Sequence, residues 1–369
     1  MLYWRRLTRI IAAMVMLGAG AQALAEDRVL AGAIRWDNWR ADSGMCDALD
    51  DSALQDRIPY YARRDAMGRL ICEGDAPQTV AQDIAYARAA GIDYFIFGYY
   101  LETGSWRRDA KAAYALNSAY RAYLALPDRQ GVKYALQFNW SFPPADIDEV
   151  SDEIVAAARH PDAVRGPTGA LPVFMFTPDI ERWAKGLGGV DGAAASLADI
   201  RRRVREATGA ELYVVSMLFG IHKSAPIALD IGFDAISTYA NGTGAGGRAV
   251  PYGTCAAGAR GFWAAGRKLE AGFLPTVTMG WDYRPELRLK KTTVQRDPNP
   301  SWCEPAEDAQ WSQKIRDAVA EAAANARNER FRSIVFYAWN EFNEGGWISP
   351  TKGEGDRRIR VLARALQPK

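Results

Sequence analysis

The chain has 369 residues, of which 49% are hydrophobic and 24% charged, proportions that are typical of globular proteins and exclude a largely disordered chain. The formal net charge is +2, and without the three arginines among the first 25 residues 43 basic residues face 44 acidic ones. We therefore expect no nucleic-acid partner, because such proteins carry a basic surplus. Only two histidines are present, which disfavours metal centres and catalytic triads built on imidazole, so we predict no metal and no cofactor.

The first 25 residues have the pattern of a secretory signal peptide. Residues 1–9 (MLYWRRLTR) contain three arginines and no acid, residues 10–20 (IIAAMVMLGAG) are apolar, and AQALA ends in the small-x-small spacing of a cleavage site. The apolar run is shorter than the ~20 residues that a membrane span needs. We predict cleavage after Ala25, a mature chain over residues 26–369, and a periplasmic or secreted protein without a membrane anchor.

Eight short apolar runs alternate with helical patterns along the mature chain. The predicted strands are Arg28–Arg35, Tyr94–Tyr99, Lys133–Phe138, Pro172–Phe176, Glu211–Met217, Ala235–Tyr239, Leu274–Met279 and Ser333–Trp339. The predicted helices are Thr79–Ala90, Ala110–Ala125, Asp146–Arg159, Ala193–Thr208, Gly258–Glu270 and Glu304–Asn328. Continuous apolar strands are typical of parallel sheets that helices cover.

Eight strand–helix units in a chain of this length predict one α/β domain, a (β/α)8 TIM barrel of ~250 residues plus insertions. The alternative is an open doubly wound sheet, which would use a glycine-rich phosphate loop after an early strand, and neither GxGxxG nor GxxxxGK[ST] follows an early strand here. The extra length falls into two long loops, residues 37–77 after the first strand and residues 283–305 after the seventh. Loops that follow strands lie at the C-terminal face of a barrel, where barrel enzymes bind substrate.

Four cysteines without a CxxC spacing predict two disulfides in an exported protein. Three pairings are possible. We favour Cys46 with Cys72 and Cys255 with Cys303, because each pair closes within one long loop region or across neighbouring ones.

Polar and aromatic side chains follow the predicted strands, at the end where a barrel binds its substrate. Aromatic rings cover the apolar faces of sugars, while carboxylate, amide and guanidinium groups hold sugar hydroxyls. This combination predicts a carbohydrate-binding mouth. The residues that we expect to bind substrate there are Trp36, Asp37, Tyr99, Glu102, Asn139, Trp140, Tyr239, Trp281, Asp282, Arg284, Asn340 and Trp347.

Two glutamates, Glu341 and Glu344, stand three residues apart where the eighth predicted strand ends. Glycoside hydrolysis needs such a pair, because one carboxyl must donate a proton while the other acts as nucleophile or base. The Glu-x-x-Glu spacing is also common among solvated surface glutamates. Flanking Trp339 and Trp347 and the strand-end position favour the catalytic interpretation.

The segment Ala338–Gly345 (AWNEFNEG) resembles the WNEWxEG motif of glycoside hydrolase family 99, which comprises endo-α-mannosidases and endo-α-1,2-mannanases, and of the related WbsX-like proteins. Phe342 stands where the motif has its second tryptophan. Three further segments resemble the family in the same order, namely Ala90–Phe95, Pro172–Phe174 and Met279–Asp282 with Arg284.

The resemblance implies a retaining (β/α)8-barrel hydrolase that cleaves inside a polysaccharide. Glu341 would then be the general base on the sugar 2-hydroxyl, which gives a 1,2-anhydro intermediate. Glu344 would be the acid and base at the glycosidic oxygen, with Trp281 and Asp282 lining the subsite. We expect a polysaccharide or oligosaccharide as the partner and a monomeric enzyme.

A second class of function stays open, a glycan-binding or glycosyl-transfer role in assembling a bacterial surface polysaccharide, because WbsX-like relatives occur in that context. Export disfavours a nucleotide-sugar transferase, since its activated donors are cytoplasmic. A barrel that only binds glycans would be expected to lose one of the two glutamates. A polysaccharide lyase is a third possibility, but no clear base with a neutralising arginine or Ca²⁺ site is evident. The sequence leaves the sugar and its linkage open.

Overall fold

The computed structural model describes residues 28–102, 114–139, 144–242, 246–289 and 297–367, and the predicted signal peptide lies outside these ranges. Within them, one sheet of nine strands forms the centre of the fold, and its strands pair in parallel throughout. The strands are β1 (Leu30–Arg35), β2 (Tyr94–Tyr99), β3 (Lys133–Asn139), β4 (Leu171–Phe176), β5 (Leu212–Leu218), β6 (Ala235–Thr238), β7 (Gly272–Phe273), β8 (Thr276–Thr278) and β9 (Ser333–Tyr337).

The sheet closes on itself through β7 and β8, which only Leu274 and Pro275 separate. β7 pairs with β6, and β8 pairs with β9, which in turn pairs with β1. The Leu274 N–H donates to the carbonyl of Ile236 (3.0 Å), and the Val335 N–H donates to that of Pro275 (2.9 Å). Because proline has no N–H to donate, it interrupts the strand, and β7 and β8 together fill one of eight positions. The predicted (β/α)8 barrel is confirmed.

In the described ranges, α-helices flank the sheet on its outer side. They are α1 (Pro77–Ala90), α2 (Ser118–Ala125), α3 (Ile147–Arg159), α4 (Ile180–Gly186), α5 (Val190–Thr208), α6 (Ile221–Ile231), α7 (Tyr252–Gly266), α8 (Asp308–Ala324) and α9 (Arg357–Leu366). The sequence patterns predicted six of these and missed α4, α6 and α9. None of these helices combines the length and the apolar character that crossing a bilayer requires.

Alternating side chains of the strands supply two apolar layers. On β2, Tyr94 and Ile96 point into the barrel, where they pack with Phe174 and other buried side chains from the neighbouring strands. Phe95 and Phe97 point outward, into the layer between the sheet and the helices. Both layers are buried, which explains why the strands read as continuous apolar runs.

The long segment after β1 is folded over the C-terminal face. It contains two 3₁₀ helices and a short antiparallel hairpin, over Met45–Leu49, Ser52–Arg57 and Arg63–Arg64 with Leu70–Ile71.

The two favoured disulfides are present in the structure. Cys46 and Cys72 join the first 3₁₀ helix to the end of the hairpin, with their Cα atoms 5.9 Å apart. Cys255 on α7 is bonded to Cys303, with the Cα atoms 6.3 Å apart, and so fastens the short strand Trp302–Cys303 to the outer helix. The predicted pairing is confirmed, and both bonds reinforce the long loops of the C-terminal face.

Candidate active site

The two motif glutamates lie on a short antiparallel hairpin directly beyond β9, formed by Asn340–Glu341 and Gly346–Trp347. Glu341 is 4% exposed and Glu344 8% exposed, so neither is a solvated surface residue. Gly345 turns the hairpin with φ of 81°, in the left-handed region that favours glycine. A Cβ at Gly345 would also lie 2.7 Å from the Asp282 nitrogen. The hairpin therefore requires a glycine directly after Glu344.

Each glutamate accepts a hydrogen bond from a tyrosine hydroxyl. Tyr239, just after β6, donates to Glu341 Oε1 at 3.2 Å, and Tyr337, the last residue of β9, donates to Glu344 Oε2. The two rings are in contact, with centroids 5.2 Å apart. Burial, and then the two neighbouring carboxylates, raise the pKa of both tyrosines well above the usual value. Both hydroxyls therefore stay protonated and serve as donors over the physiological pH range.

Of these two tyrosines, only Tyr239 was expected to belong to the site. Tyr337 falls inside the predicted eighth strand, where an aromatic residue is indistinguishable from core. Alternate side chains of a strand point to the same side. Tyr337 lies four residues before Glu341 on the same segment, and this spacing could have indicated that its ring points into the barrel.

The segment after β8 is joined to the hairpin by backbone and aromatic contacts. The Asp282 N–H donates to the Glu344 carbonyl at 2.7 Å, and the Trp281 ring contacts that of Tyr337 with centroids 5.8 Å apart. These contacts bring the Ala338–Gly345 motif and the Met279–Asp282 segment together beside the Glu344 carboxylate.

Two guanidinium groups surround the Asp282 carboxylate. Arg284 donates to both of its oxygens, at 2.8 and 2.9 Å, and Arg57 from the segment after β1 donates to Oδ2. Burial by itself would raise the pKa of Asp282, but the two arginines outweigh it and lower that pKa. Asp282 is therefore a charged anchor that ties the long segment after β1 to the site.

A cavity of about 360 Å³ opens beside Gly345, and four of the residues predicted to bind substrate line it, whereas Glu341 and Glu344 do not. Arg284 covers one face of Trp302 there, with its guanidinium carbon 3.5 Å from the ring centroid. The sequence patterns missed Trp302, which lies in the second long loop next to a disulfide cysteine. The aromatic and charged side chains at the cavity include Arg57, Trp281, Asp282, Arg284, Trp302 and Trp347.

On the other side of the hairpin, Trp36 follows β1 and Tyr100 follows β2. The Trp36 indole N–H donates to the Tyr100 hydroxyl at 2.7 Å. Asn340 bonds the backbone of Trp36 twice, accepting from its N–H at 2.8 Å and donating to its carbonyl at 2.5 Å. The Asn340 amide thus fixes the hairpin to the end of β1, and the partly exposed Trp36 and Tyr100 are left at the mouth.

Asp37 points away from the glutamates into a buried ion-pair cluster. Arg35 contacts Asp37 Oδ1 at 3.0 Å and Asp83 Oδ2 at 2.5 Å, and these three side chains are 1–2% exposed. Burial raises the pKa of Asp37 to about 7, against the opposing effect of Arg35. The structure therefore places Asp37 in the support of the site, at the end of β1.

The remaining predicted residues lie further round the mouth. Tyr99 is 8% exposed and packs beneath the surface, and Glu102 accepts from Arg121 at 2.7 Å. Asn139 ends β3, and Trp140 lies outside the described residues. Their roles in substrate binding stay predictions.

Across the portion of the chain that the structure describes, no group of three or more His, Cys, Asp or Glu side chains is placed to hold a metal ion.

Comparisons with known proteins give similarity at the level of structure. No family model and no curated protein matches the chain. Among solved structures it is similar to a glycoside hydrolase-like protein, with a TM-score of 0.61 and 14% identity over 93% of this chain and 95% of the other. It is also similar to the GH99 endo-α-mannosidase from Bacteroides thetaiotaomicron, with a TM-score of 0.54 and 15% identity over 92% and 96%.

The barrel has the fold of these solved structures. A second structure of the same mannosidase gives a TM-score of 0.53 at 16% identity, again over more than nine-tenths of both chains. The resemblance predicted from the motif is thereby confirmed for the fold, over nearly the whole length of the chain.

Proposed function

We propose that the protein is an exported glycoside hydrolase that cleaves a polysaccharide internally, with Glu341 and Glu344 as its catalytic pair. One observation carries the proposal. Two buried carboxylates, each hydrogen-bonded to a tyrosine hydroxyl, meet at the C-terminal end of a barrel whose fold matches that of an endo-α-mannosidase. In barrel enzymes this end is where the chemistry takes place.

In the proposed reaction, Glu341 takes the proton of the sugar 2-hydroxyl while that oxygen attacks C1. The C1–O bond to the leaving group breaks, and Glu344 donates a proton to the departing oxygen. Water then attacks C1 with Glu344 as base, the C1–O2 bond of the 1,2-anhydro ring opens, and Glu341 returns the proton to O2. C1 is inverted twice and the C2–O2 bond is never broken, so the product retains the configuration of the substrate.

The surrounding residues take two kinds of role in this proposal. The partly exposed Trp36 follows β1 and would contact a sugar face, and the largely buried Trp281 follows β8 and would line the subsite from the cavity. The Asn340 amide is hydrogen-bonded to the Trp36 backbone, and the Asp282 carboxylate is bonded to two arginines. We therefore assign these two to positioning the hairpin and the loops, so that the carboxylates are held before substrate arrives.

Export is part of the proposal, because a polysaccharide is too large to enter a cell and must be cleaved outside. The two disulfides support it, since such bonds persist in oxidising compartments. The sequence pattern of residues 1–25 supports it independently.

The test is oligosaccharide release from purified polysaccharides, including α-mannan and polymers of other sugars, followed by chromatography and mass spectrometry. Glu344→Gln and Glu341→Gln should each lower release by roughly 10²-fold or more, because general acid–base catalysis contributes about that much. The matched control is Glu329→Gln, which changes an exposed glutamate just before β9, at the opposite end of the barrel. It should release products at the wild-type rate.

The outcomes separate the candidate functions. Release by wild type and by Glu329→Gln, but not by the two site variants, would establish the hydrolase and identify its substrate. Equal release by all four proteins would remove the glutamates from the reaction. Binding of a polysaccharide without release would favour the glycan-binding or biosynthetic role.

A further inference from the structure

Phe219 is a large apolar residue that the fold leaves exposed at the mouth of the barrel. It directly follows β5, which ends at Leu218, and it is 55% exposed. The next residue, Gly220, has open space where a side chain would project. Single exposed apolar residues are common on protein surfaces, so the neighbours of Phe219 decide whether its position has a function.

Phe219 is the outer end of a continuous row of aromatic rings. Its ring meets Phe176, the last residue of β4, edge to face with centroids 5.5 Å apart. Phe176 in turn contacts Tyr239, with centroids 4.5 Å apart, and the Tyr239 hydroxyl donates to Glu341. We call Phe219, Phe176 and Tyr239 the aromatic wall. It leads from a candidate catalytic carboxylate out to solvent.

The aromatic wall faces a second aromatic group across the mouth. Trp36 and Tyr100 follow β1 and β2, whereas the wall follows β4, β5 and β6. Among the eight positions of the barrel, β1 lies opposite β5 and β2 lies opposite β6. A linear glycan that crosses the mouth from Trp36 to Phe219 would therefore pass over the hairpin carboxylates with sugar units on both sides.

Exposure alone does not single out Phe219. The other large hydrophobic side chains that are exposed in the described part of the chain are Met67, Tyr114, Val190 and Leu287. Among these five, Phe219 is joined to a candidate catalytic carboxylate through the ring contacts given above. The wall consists of uncharged aromatic rings, which suit the apolar C–H face of a neutral sugar rather than an acidic substituent.

We propose that Phe219 is the outer platform of a glycan-binding subsite, where its ring stacks on a neutral pyranose unit of the polymer that is not itself cleaved. The inference rests on the proposed function, and it specifies the substrate as a chain that extends past the aromatic wall. Sugar binding at this subsite adds affinity for the polymer and does not change the reacting atoms.

The test is affinity electrophoresis in native gels that contain α-mannan, dextran or galactan, compared with gels that contain none. All variants carry Glu344→Gln to prevent degradation of the gel polymer. At least one polymer should retard the Glu344→Gln protein. Adding Phe219→Ala should weaken that retardation about 3- to 10-fold, as loss of a stacking contact predicts, whereas Phe219→Trp should preserve it.

Met67→Ala is the matched control, because it removes another exposed apolar side chain, far from the wall in the hairpin of the segment after β1. It should leave the retardation unchanged, and thermal unfolding should show that all variants are folded. Equal retardation with and without Phe219 would overturn the proposal, as would the absence of retardation by every polymer.

The oligosaccharide-release experiment and the electrophoresis experiment test the two proposals separately. Release that depends on Glu344, together with retardation that ignores Phe219, would leave the hydrolase standing and remove the platform. Retardation that depends on Phe219, without release by the wild-type protein, would leave the platform standing and remove the hydrolase.

Discussion

The buried cluster at the end of β1 makes the stability of the protein depend on pH in a defined direction. One guanidinium, that of Arg35, serves two carboxylates, Asp37 and Asp83, and all three side chains are shielded from water. Two ionised carboxylates beside one cation leave a net negative charge in a poorly solvated interior, which is costly. Asp37 Oδ2 has no hydrogen-bond partner among the described residues. Asp83, in contrast, accepts hydrogen bonds from Arg35, Tyr60 and Ser349, so Asp37 is the carboxyl that we expect to take up a proton.

The magnitude follows from the pKa. Burial raises the pKa of Asp37 from 3.8 to about 7. Because this folded-state value lies above the unfolded one, the stabilisation is fully present below pH ~4 and is lost as the pH rises through about 7. At 1.36 kcal/mol for each tenfold change in proton affinity, the whole effect is on the order of 4 kcal/mol. Between pH 5 and pH 8 the part that disappears is about 2.5 kcal/mol.

Asp37→Asn should remove this loss, because the amide is neutral at both pH values. The measurement is urea unfolding of wild type and variant at pH 5 and pH 8. Wild type should lose about 2.5 kcal/mol more than the variant over this interval. Titrating groups outside the Arg35 cluster are shared by both proteins and cancel in the difference. One such group is Lys314. Burial lowers its pKa to about 7, so its contribution to stability rises with pH, opposite to that of Asp37.

The matched control is Asp47→Asn, an exposed carboxylate in the same segment after β1, which should unfold like wild type at both pH values. If Asp37→Asn and wild type lose equal stability between pH 5 and pH 8, then Asp37 does not hold the proton and the account of the cluster is refuted.

Three further predictions follow from individual contacts. Tyr337→Phe deletes the hydrogen bond to Glu344; because such a bond is worth about 0.5–1.5 kcal/mol to the protonated carboxyl and about 1.5–3 kcal/mol to the ionised one, turnover of a polysaccharide substrate should fall at least about threefold, and a rate equal to wild type would show that the bond is not used. Arg57→Ala leaves Asp282 with one guanidinium and should lower the free energy of unfolding by about 1.5–3 kcal/mol, whereas an unchanged urea midpoint would contradict the anchoring role. Cys255→Ser opens the second disulfide and should cost about 2–4 kcal/mol in non-reducing buffer; a similar loss in excess reductant, where wild type also lacks the bond, would argue against this cause.

The barrel could be predicted from the sequence because its strands are buried on both sides. Every predicted strand overlaps an observed one, and most boundaries agree within two residues. The exception is the seventh position, predicted as Leu274–Met279, where the backbone pairs on both sides of Pro275 and forms two short strands. The backbone pairing on each side of a proline depends on where the neighbouring strands lie. The local sequence pattern carries no information about those strands.

Two of the missed helices, α4 and α6, have local causes, whereas α9 (RRIRVLARAL) has a clear amphipathic pattern and could have been predicted. α4 has only seven residues, too few to show a helical period. α6 contains Pro226, which reads as the end of a helix rather than as part of one. α9 follows the last strand, and its burial against α8 and α1 comes from the closure of the barrel.

The positions of the candidate site residues could be predicted, but the directions of their side chains could not. Parallel strands of a barrel end at one face, so polar residues after strands gather there. Whether the side chain of such a residue is free to contact substrate depends on which other side chains bind its charged group. The Asp282 carboxylate is held by Arg57, 225 residues away, and Asp37 is held by Arg35 on the same strand. The first partner is invisible to any local pattern.

The glycine pair after Glu344 shows how the hairpin and the candidate chemistry depend on each other. Gly345 supplies the left-handed turn and the close approach to the Asp282 backbone. A Cβ at Gly346 would lie 2.5 Å from the ring of Tyr337, so the absence of a side chain makes room for the ring that donates to Glu344. In the sequence, the two glycines only mark a turn. In the structure, one sets the path of the chain, and the other leaves space for the tyrosine beside the carboxylate. The tyrosine contact is therefore built into the hairpin, and a side chain at either glycine would disturb Glu344 without touching it.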